Sequence, residues 1–236
     1  SDVYKRQARL EAGTAAFALS SGMAALELVT RTLAPHGGRI VALRDLYGGS
    51  FRFLEVLAEE GAADVDFVLG MEGLRGALAD PADLVIIETP TNPMMEEIPI
   101  PEAAELARAA GARLVVDNTF YTPVVQRPLE LGADVVVHSG TKYLGGHNDV
   151  MAGVAVVADD VLAERLNYRL NTTGATLGAC TRALEAAGAR VLGALAVAAA
   201  PSPRRGAERV PGPRPCGLSA GGDRGARRPS SKPGMV

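Results

Sequence analysis

The sequence predicts an α/β fold in which a mostly parallel sheet is flanked by helices. Short apolar runs rich in β-branched residues alternate with amphipathic stretches from residue 15 to about residue 175. Most of the runs are apolar at successive interior positions rather than at every second position. Such continuous apolar strands are typical of parallel sheets, because helices cover both of their faces.

The order of the elements follows from these runs and from the turn residues between them. Strands are predicted at residues 15–19, 39–43, 65–69, 83–88, 113–117, 134–138 and 153–157. Helices are predicted from Gly22 to about residue 34 and at residues 49–60, 73–79, 101–111 and 159–170. Proline at the start and glycine at the end support the 101–111 helix, and Asp159 is a preferred N-cap residue. Phe53, Val56 and Leu57 are expected on the buried face of the second helix.

Charge and composition exclude several classes of function. Residues 1–179 contain 14 Lys and Arg against 24 Asp and Glu, whereas residues 180–236 contain 10 against 3. An acidic globular part argues against a nucleic-acid or anionic-membrane surface. No apolar run has the roughly 18–20 residues of a membrane span. The two cysteines, Cys180 and Cys216, form neither a disulfide framework nor a zinc spacing, so a cytoplasmic location is expected.

The chain is interpreted as three segments, of which composition marks the last. Residues 1–14 are interpreted as an incomplete or non-native N-terminal segment, and residues 15–178 as one large domain. Residues 179–236 form an Arg/Pro/Gly-rich tail, with seven Pro and seven Gly in residues 201–236. Such a composition buries too little apolar surface to offset its ordering entropy, so the tail is expected to be disordered or non-native. A basic interaction tail is the alternative.

Polar residues follow three of the predicted strands. Glu88 ends one strand, Asp117 ends another, and Ser139-Gly140-Thr141-Lys142 follows a third. Ligands of parallel sheets bind at the carboxyl ends of the strands, so this edge is the expected site. A lysine amine that is partly desolvated can form an imine, which makes Lys142 a candidate for covalent catalysis. Taken alone, Lys142 is better explained as a surface lysine that begins a loop.

Asp117 and one strand–helix turn add two features of a pyridoxal phosphate (PLP) site. Such a site needs a carboxylate against the pyridinium nitrogen of the cofactor. Asp117 fits this role, although it is also explained as a cap of the loop through Asn118 and Thr119. The turn Ser20-Ser21-Gly22-Met23 offers free backbone N–H groups and a helix dipole to a phosphate. No Walker A or G-x-G-x-x-G pattern is present, so a small cofactor phosphate fits better than a triphosphate.

Further polar and aromatic residues are expected at the same edge. Tyr47 follows the strand at 39–43, where its ring can stack on a cofactor ring, and an ordinary loop tyrosine is the alternative. Asn92 lies near Glu88 in a proline-stiffened loop, for which turn chemistry is the alternative. His138 and His147 lack a third ligand at metal spacing, so both are interpreted as structural and no metal is expected. A hydrolase triad is not indicated, because no G-x-S-x-G pattern is present.

Together these motifs resemble the Cys/Met-metabolism PLP-dependent enzymes. The resemblance spans about residues 10–177 and is carried by SSGMAA (20–25), DLYGGSF (45–51), ETPTNP (88–93), VVDNTF (115–120), QRPLELGADVVVHSGTKYLGGHNDV (126–150) and NTTGATLG (171–178). It implies pyridoxal 5'-phosphate as cofactor and the large domain of PLP-dependent transferase fold type I. It also implies an amino-acid substrate and a homo-oligomer, a tetramer built of dimers that share sites.

The resemblance further implies roles for individual residues. Lys142 would be the Schiff-base lysine and a proton carrier, Asp117 would pair with the ring nitrogen, and Tyr47 would stack on the ring and assist acid–base steps. The phosphate would be held by Gly22, Met23, Ser139 and Thr141, and Asn92 would lie near the ring hydroxyl.

The resemblance implies elimination or replacement at Cγ of a sulfur-containing or O-acylated amino acid, as in cystathionine γ-synthase or γ-lyase. O-acylhomoserine sulfhydrylase or cystathionine β-lyase chemistry, an inactive cofactor-binding fragment and a nucleotide-binding α/β domain are the alternatives. Methionine γ-lyases tend to have cysteine where Gly49 stands, which makes that branch a poorer fit. The family continues after Gly178 into a smaller C-terminal domain, and Tyr4-Lys5-Arg6 does not match its upstream Tyr-x-Arg element. A truncated chain is therefore expected. The resemblance ends abruptly where the tail begins, which implies a frame-shifted tail.

Overall fold

The computed structural model describes residues 8–173 of the chain. The interpretations of the first seven residues and of the 179–236 tail therefore lie outside the described residues. The motif at 171–178 lies partly outside them. The division into segments stays a prediction.

The described part is an alternating α/β structure. Its strands are β1 (Ala15–Leu19), β2 (Gly38–Leu43), β3 (Ala63–Val68), β4 (Leu84–Glu88), β5 (Arg113–Asp117), β6 (Val135–Ser139) and β7 (Gly153–Val157). Its helices are α1 (Gly22–Leu33), α2 (Gly48–Glu59), α3 (Gly70–Ala77), α4 (Ile100–Ala109), α5 (Thr122–Val125) and α6 (Asp160–Thr172). Each predicted strand is present with bounds within about two residues of those expected from its apolar run. The short helix α5 was not predicted.

The seven strands form one sheet in the order β1-β7-β6-β5-β4-β2-β3. Strand β2 pairs in parallel with β3 and β4, and β5 pairs in parallel with β4 and β6. Strand β7 runs antiparallel to both β1 and β6. The predicted mostly parallel sheet flanked by helices is confirmed. Gly153 pairs with both Leu19 and Ser139, so the carboxyl ends of β1 and β6 meet at the start of β7. This register places the turn into α1 beside the loop that carries Lys142.

The core lies on both faces of the sheet, and β4 and β7 are buried at every position. In α2, Leu54 and Leu57 take the buried positions, while Phe53 is half-buried. Val56 is 45% exposed, so the prediction that it faces the core is wrong. The fully buried residues Ser50, Leu54 and Leu57 follow the i, i+4, i+7 spacing, and Val56 lies off this line. Asp159 caps α6 as predicted, because its Oδ1 accepts the Leu162 N–H at 2.9 Å.

Candidate cofactor site

A cavity of about 680 Å³ lies at the carboxyl edge of the sheet. All eight predicted site residues line it: Gly22, Met23, Tyr47, Asn92, Asp117, Ser139, Thr141 and Lys142. Its volume falls within the range of about 300–1,000 Å³ that small-molecule and cofactor sites occupy. The structure therefore brings together residues that the sequence spreads over 120 positions, although the role of each residue stays a prediction.

The turn into α1 forms one end of the cavity. A Cβ at Gly22 would lie 2.9 Å from Ser139 Cα, and a Cβ at Gly153 would lie 1.9 Å from Ser21 O. The two glycines thus let the turn pack directly against the ends of β6 and β7. Ser21 Oγ accepts the Ala24 N–H at 3.1 Å and so caps the helix. The N–H groups of Gly22 and Met23 precede the first intrahelical donor, which leaves them for a ligand phosphate.

The two hydroxyl residues near this turn are not equivalent. Within residues 8–173, Ser139 Oγ has no hydrogen-bond partner, although the Ser139 N–H donates to Thr119 Oγ1 at 2.9 Å. Thr141 Oγ1 accepts the Ala152 N–H at 3.1 Å and lies 3.4 Å from Ala152 O. A phosphate would therefore find the Ser139 hydroxyl available, whereas the Thr141 hydroxyl would have to turn away from Ala152.

Asp117 uses one carboxylate oxygen for the adjoining loop. Its Oδ1 accepts the Thr119 N–H at 3.0 Å and the Thr119 hydroxyl at 2.5 Å. The loop-cap interpretation is thus correct for Oδ1. Among the described residues Oδ2 has no hydrogen bond, so the cap and a cofactor contact are compatible. Thr119 was not predicted as a site residue. Its hydroxyl group two positions after Asp117 is the sequence feature that could have indicated it.

The electrostatics of Asp117 favour a cationic ligand atom. Burial raises the pKa of Asp117 above its ordinary value, while hydrogen bonds from Thr119 and the charge of His138 act in the opposite direction. A buried carboxylate is stabilised when a positive group approaches it. The protonated ring nitrogen of PLP is such a group, so the charge of this site fits that cofactor.

Glu88 is a second buried carboxyl group in the same cavity, and its side chain is only 4% exposed. Burial, and after it the charge of Asp117, raise the pKa of Glu88 to about 8, which the hydrogen bond from the Tyr47 N–H opposes. That N–H donates to Glu88 Oε2 at 2.5 Å. Glu88 therefore holds the backbone directly before α2, where the half-exposed Tyr47 ring borders the cavity.

Lys142 lies in the tight loop after β6. Its N–H donates to Ser139 O at 3.1 Å, and its carbonyl accepts the Gly146 N–H at 2.8 Å. The side chain is exposed, and it is the sole lysine among the residues that the structure describes. Lys142 is thus the one lysine of residues 8–173 that lines the cavity. Asn92, from the loop after β4, is half-buried on the cavity wall.

The two histidines near the lysine loop differ in environment. His138 is 1% exposed, and its Nε2 lies 2.6 Å from Glu11 Oε1. His147 is exposed, and its Nδ1 lies 3.0 Å from Gly145 O. Within residues 8–173, no cluster of three or more His, Cys, Asp or Glu side chains has the arrangement of a metal site.

In the part of the chain that the structure describes, no helix combines the length and apolarity needed to cross a membrane.

Comparison with known proteins gives a consistent result. The family model of the Cys/Met metabolism PLP-dependent enzymes matches residues 2–200, a longer stretch than the motifs above span. Cystathionine gamma-synthase of Escherichia coli (strain K12) is 45% identical over 194 residues, which cover 81% of this chain and 50% of that protein. Cystathionine gamma-lyase of Bacillus subtilis (strain 168) is 43% identical over 171 residues, which cover 72% of this chain and 45% of that protein.

Solved structures agree with these relatives. The crystal structure of cystathionine gamma synthase from Xanthomonas oryzae pv. oryzae in complex with cystathionine has a TM-score of 0.72 and 39% identity, and the match covers 74% of this chain and 46% of that chain. The chain spans about half the length of the curated relatives it matches. It belongs to the Cys/Met-metabolism PLP-dependent enzymes, and pyridoxal 5'-phosphate is the cofactor that this membership implies.

Proposed function

We propose that the chain catalyses elimination or replacement at Cγ of a sulfur-containing or O-acylated amino acid. The observation that supports this most directly is one cavity that unites Lys142, Asp117 and the Gly22 turn. These residues supply an amine, a carboxylate and an anion cradle to one bound molecule. Relatives named cystathionine gamma-synthase and cystathionine gamma-lyase support the position of the reaction on the substrate.

When bound, PLP supplies an electron sink for carbanion chemistry. The residues of the chain position it and move protons. Lys142 Nζ would hold the cofactor covalently and carry a proton between substrate carbons. Asp117 would keep a proton on the ring nitrogen, and Tyr47 would stack on the ring and assist the acid–base steps. Asn92 would lie near the ring hydroxyl.

The phosphate group would occupy the other end of the cavity. The N–H groups of Gly22 and Met23 would bind it together with the hydroxyl groups of Ser139 and Thr141. A neutral set of donors at a helix N-terminus suits a small phosphate, because the helix dipole supplies the favourable charge.

Covalent attachment at Lys142 is the first test. The chain contains three lysines, Lys5, Lys142 and Lys232. After addition of PLP and reduction with borohydride, mass spectrometry is expected to find the label on Lys142. Lys142→Ala is expected to lose the label and the visible absorption band while remaining folded, and Lys232→Ala to keep both. If Lys142→Ala were labelled as strongly as the unsubstituted chain, Lys142 would not be the attachment site. A nucleotide-binding domain would then be the alternative.

Product analysis separates the possible reactions. Cystathionine cleaved at Cγ gives cysteine, 2-oxobutanoate and ammonia, whereas cleavage at Cβ gives homocysteine, pyruvate and ammonia. An O-acylhomoserine with cysteine gives cystathionine, and with sulfide it gives homocysteine. The relatives include a cystathionine gamma-synthase/O-acetylhomoserine (thiol)-lyase and a cystathionine beta-lyase, so each assay is informative. A label on Lys142 without any of these products would identify a cofactor-binding chain that does not turn over.

The proposal includes a homo-oligomer, a tetramer of dimers that share sites, in a cytoplasmic location. Large apolar side chains exposed at the surface support an assembly. They include Met94, Met95, Val124, Val125 and Tyr143. Light scattering of the purified chain measures the oligomeric state, and cell fractionation measures the location.

A further inference from the structure

A buried polar cluster that the proposed function does not use lies behind the cavity. Glu11, Asn118 and His138 are each at most 1% exposed. Glu11 Oε1 accepts from Asn118 Nδ2 at 3.0 Å and lies 2.6 Å from His138 Nε2. Glu11 is separated from these two residues by 107 and 127 positions in the sequence. A single carboxylate oxygen thus joins three distant parts of the chain.

The partners of Glu11 adjoin two of the cavity residues. Asn118 directly follows Asp117, and His138 directly precedes Ser139. Successive side chains of extended backbone point to opposite faces. In agreement with this alternation, Asp117 and Ser139 line the cavity, whereas Asn118 and His138 do not.

The two strand ends are therefore joined on both faces of the sheet. On the cavity side, Thr119 Oγ1 accepts the Ser139 N–H at 2.9 Å and donates to Asp117 Oδ1 at 2.5 Å. On the far side, Glu11 Oε1 joins the next side chain of each strand end. The first connection touches the cavity residues themselves, and the second fixes the backbone that carries them.

The far-side network continues to a third strand end. Asn118 Oδ1 accepts from Gln126 Nε2 at 2.9 Å, and Gln126 Nε2 also lies 3.0 Å from Thr89 O. Thr89 directly follows Glu88, the last residue of β4. The network thus spans the ends of β4, β5 and β6, which all contribute cavity residues.

Burial of this network has a cost in stability that apolar residues would not have. Glu11 Oε2 and His138 Nδ1 are buried without a hydrogen-bond partner among the described residues. Buried charge pairs are frequently no better for stability than well-packed apolar side chains. What the network offers instead is a fixed geometry, because each hydrogen bond constrains the distance between two strand ends.

We propose that Glu11 is a positioning residue of the cofactor site, which through Asn118 and His138 sets the separation between Asp117 and Ser139. This inference rests on the proposed function, in which Asp117 contacts the ring nitrogen and Ser139 the phosphate. A rigid cofactor contacts both residues at once, so a change in their separation weakens its binding. Glu11 itself does not line the cavity.

Two variants of Glu11 distinguish the effect of side-chain length from the effect of side-chain charge. Glu11→Gln keeps the length of the side chain and an oxygen that can accept from both partners, but removes the charge. Glu11→Asp keeps the charge and shortens the side chain by one methylene group, so one oxygen no longer reaches both strand ends. The same two changes at Glu130, an exposed residue paired with Arg127, are the matched controls.

Two readouts on the 236-residue chain test the proposal. The first is the PLP dissociation constant, measured under conditions in which circular dichroism shows each variant to be folded. Glu11→Asp is expected to raise it by about tenfold, because displaced Asp117 and Ser139 no longer fit a rigid cofactor together. Glu11→Gln is expected to stay within about threefold of the parent, because both hydrogen bonds remain. The second readout is amide hydrogen exchange of Thr119 and Ser139 without cofactor, which is expected to quicken in Glu11→Asp only.

The outcomes distinguish this inference from the proposed function. A parent chain that does not attach PLP at Lys142 would refute the function, while the exchange readout still tests the link between the strand ends. The inference would be overturned if Glu11→Asp had the same PLP dissociation constant and the same amide exchange rates as the unsubstituted chain. This holds even if urea unfolding showed that the variant is less stable. The same holds if Glu11→Gln weakens PLP binding more than Glu11→Asp. Should Glu11→Asp not fold, His138→Asn shortens the link from the other side and is expected to give the same loss of PLP affinity.

Discussion

Glu88 and Asp117 are register partners at the ends of the neighbouring parallel strands β4 and β5. Both side chains line the same cavity, so two carboxyl groups share one partly buried space. Burial raises the pKa of each group, and the charge of Asp117 helps to raise that of Glu88 to about 8. Close carboxyl groups resist simultaneous ionisation. Near neutral pH the pair therefore carries less than two full charges, and Glu88 holds a proton.

This relationship predicts that the cofactor-free chain loses stability as pH rises. The pKa of Glu88 lies above its ordinary value of 4.5, so the folded chain binds more protons than the unfolded chain from about pH 4.5 to about pH 8. The free energy of unfolding is expected to fall by about 1–3 kcal/mol between about pH 5.5 and about pH 7.5. The raised pKa of Asp117 acts in the same direction. Urea unfolding at the two pH values measures the change.

Glu88→Gln supplies the comparison for this pH dependence. Gln keeps an acceptor for the Tyr47 N–H but does not titrate, so the loss of stability between the two pH values is expected to shrink. Glu130→Gln, on the exposed surface, is expected to retain the parental pH dependence. An undiminished slope in Glu88→Gln would show that the pH dependence arises elsewhere.

The strands could be predicted closely because local apolarity determines them. The bounds of β1 and β5 agree with those expected, since polar or turn residues flank each short apolar run. The direction of β7 could not be predicted in this way. Its sequence GVAVV is as apolar as that of a parallel strand, and its antiparallel direction depends on the path of residues 140–152. Helix α5 is only four residues long, which is too short for a helical period to be recognised.

The cavity residues could be predicted because the carboxyl ends of parallel strands converge. Contacts between distant parts of the chain could not. Glu11 lies in the segment 1–14 that was interpreted as incomplete or non-native, yet the structure buries it against His138, 127 positions away. Glu88 was recognised at the correct edge, but its register with Asp117 depends on the pairing of β4 with β5. These relationships are properties of the folded sheet rather than of local sequence.

Gly22→Ala is predicted to disrupt the anion end of the cavity. The new Cβ would lie 2.9 Å from Ser139 Cα, a backbone atom that can move only if the end of β6 moves. Stability is expected to fall by about 1–3 kcal/mol, as for other overpacked sites, and the affinity for PLP is expected to fall with it. Urea unfolding and a PLP titration measure the two effects.

Gly76→Ala is the control for Gly22→Ala. Gly76 lies inside α3, and a Cβ there meets nothing within 4 Å. Alanine is the better helix former, so stability is expected to stay constant or to rise by up to about 1 kcal/mol. Similar losses at both positions would show that the contact with Ser139 is not the cause.

Gly49→Ala is predicted to displace the Tyr47 ring with little effect on stability. A Cβ at Gly49 would lie 2.5 Å from Tyr47 Cε1, which belongs to a half-exposed side chain that can rotate away. If Tyr47 stacks on the cofactor, the PLP dissociation constant is expected to rise by several-fold, since a stacking contact contributes about 1 kcal/mol. In the control Gly48→Ala, the new Cβ lies 3.4 Å from the flexible guanidinium of Arg52, and parental affinity is expected. Equal affinities in the two variants would contradict the stacking role.

Thr119→Val tests the connection on the cavity side of the two strand ends. Valine has nearly the shape of threonine but cannot accept the Ser139 N–H or donate to Asp117 Oδ1. Stability is expected to fall by about 1–3 kcal/mol, because a buried N–H group loses its partner. The pKa of Asp117 is expected to rise further, since the lost hydroxyl hydrogen bond lowers it in the parent. PLP affinity is expected to fall by about tenfold, the equivalent of 1.4 kcal/mol.

Thr119→Ser keeps the hydroxyl and removes only the methyl group, so it is expected to retain most of the affinity. If serine were as damaging as valine, the methyl contact rather than the hydroxyl would position Asp117.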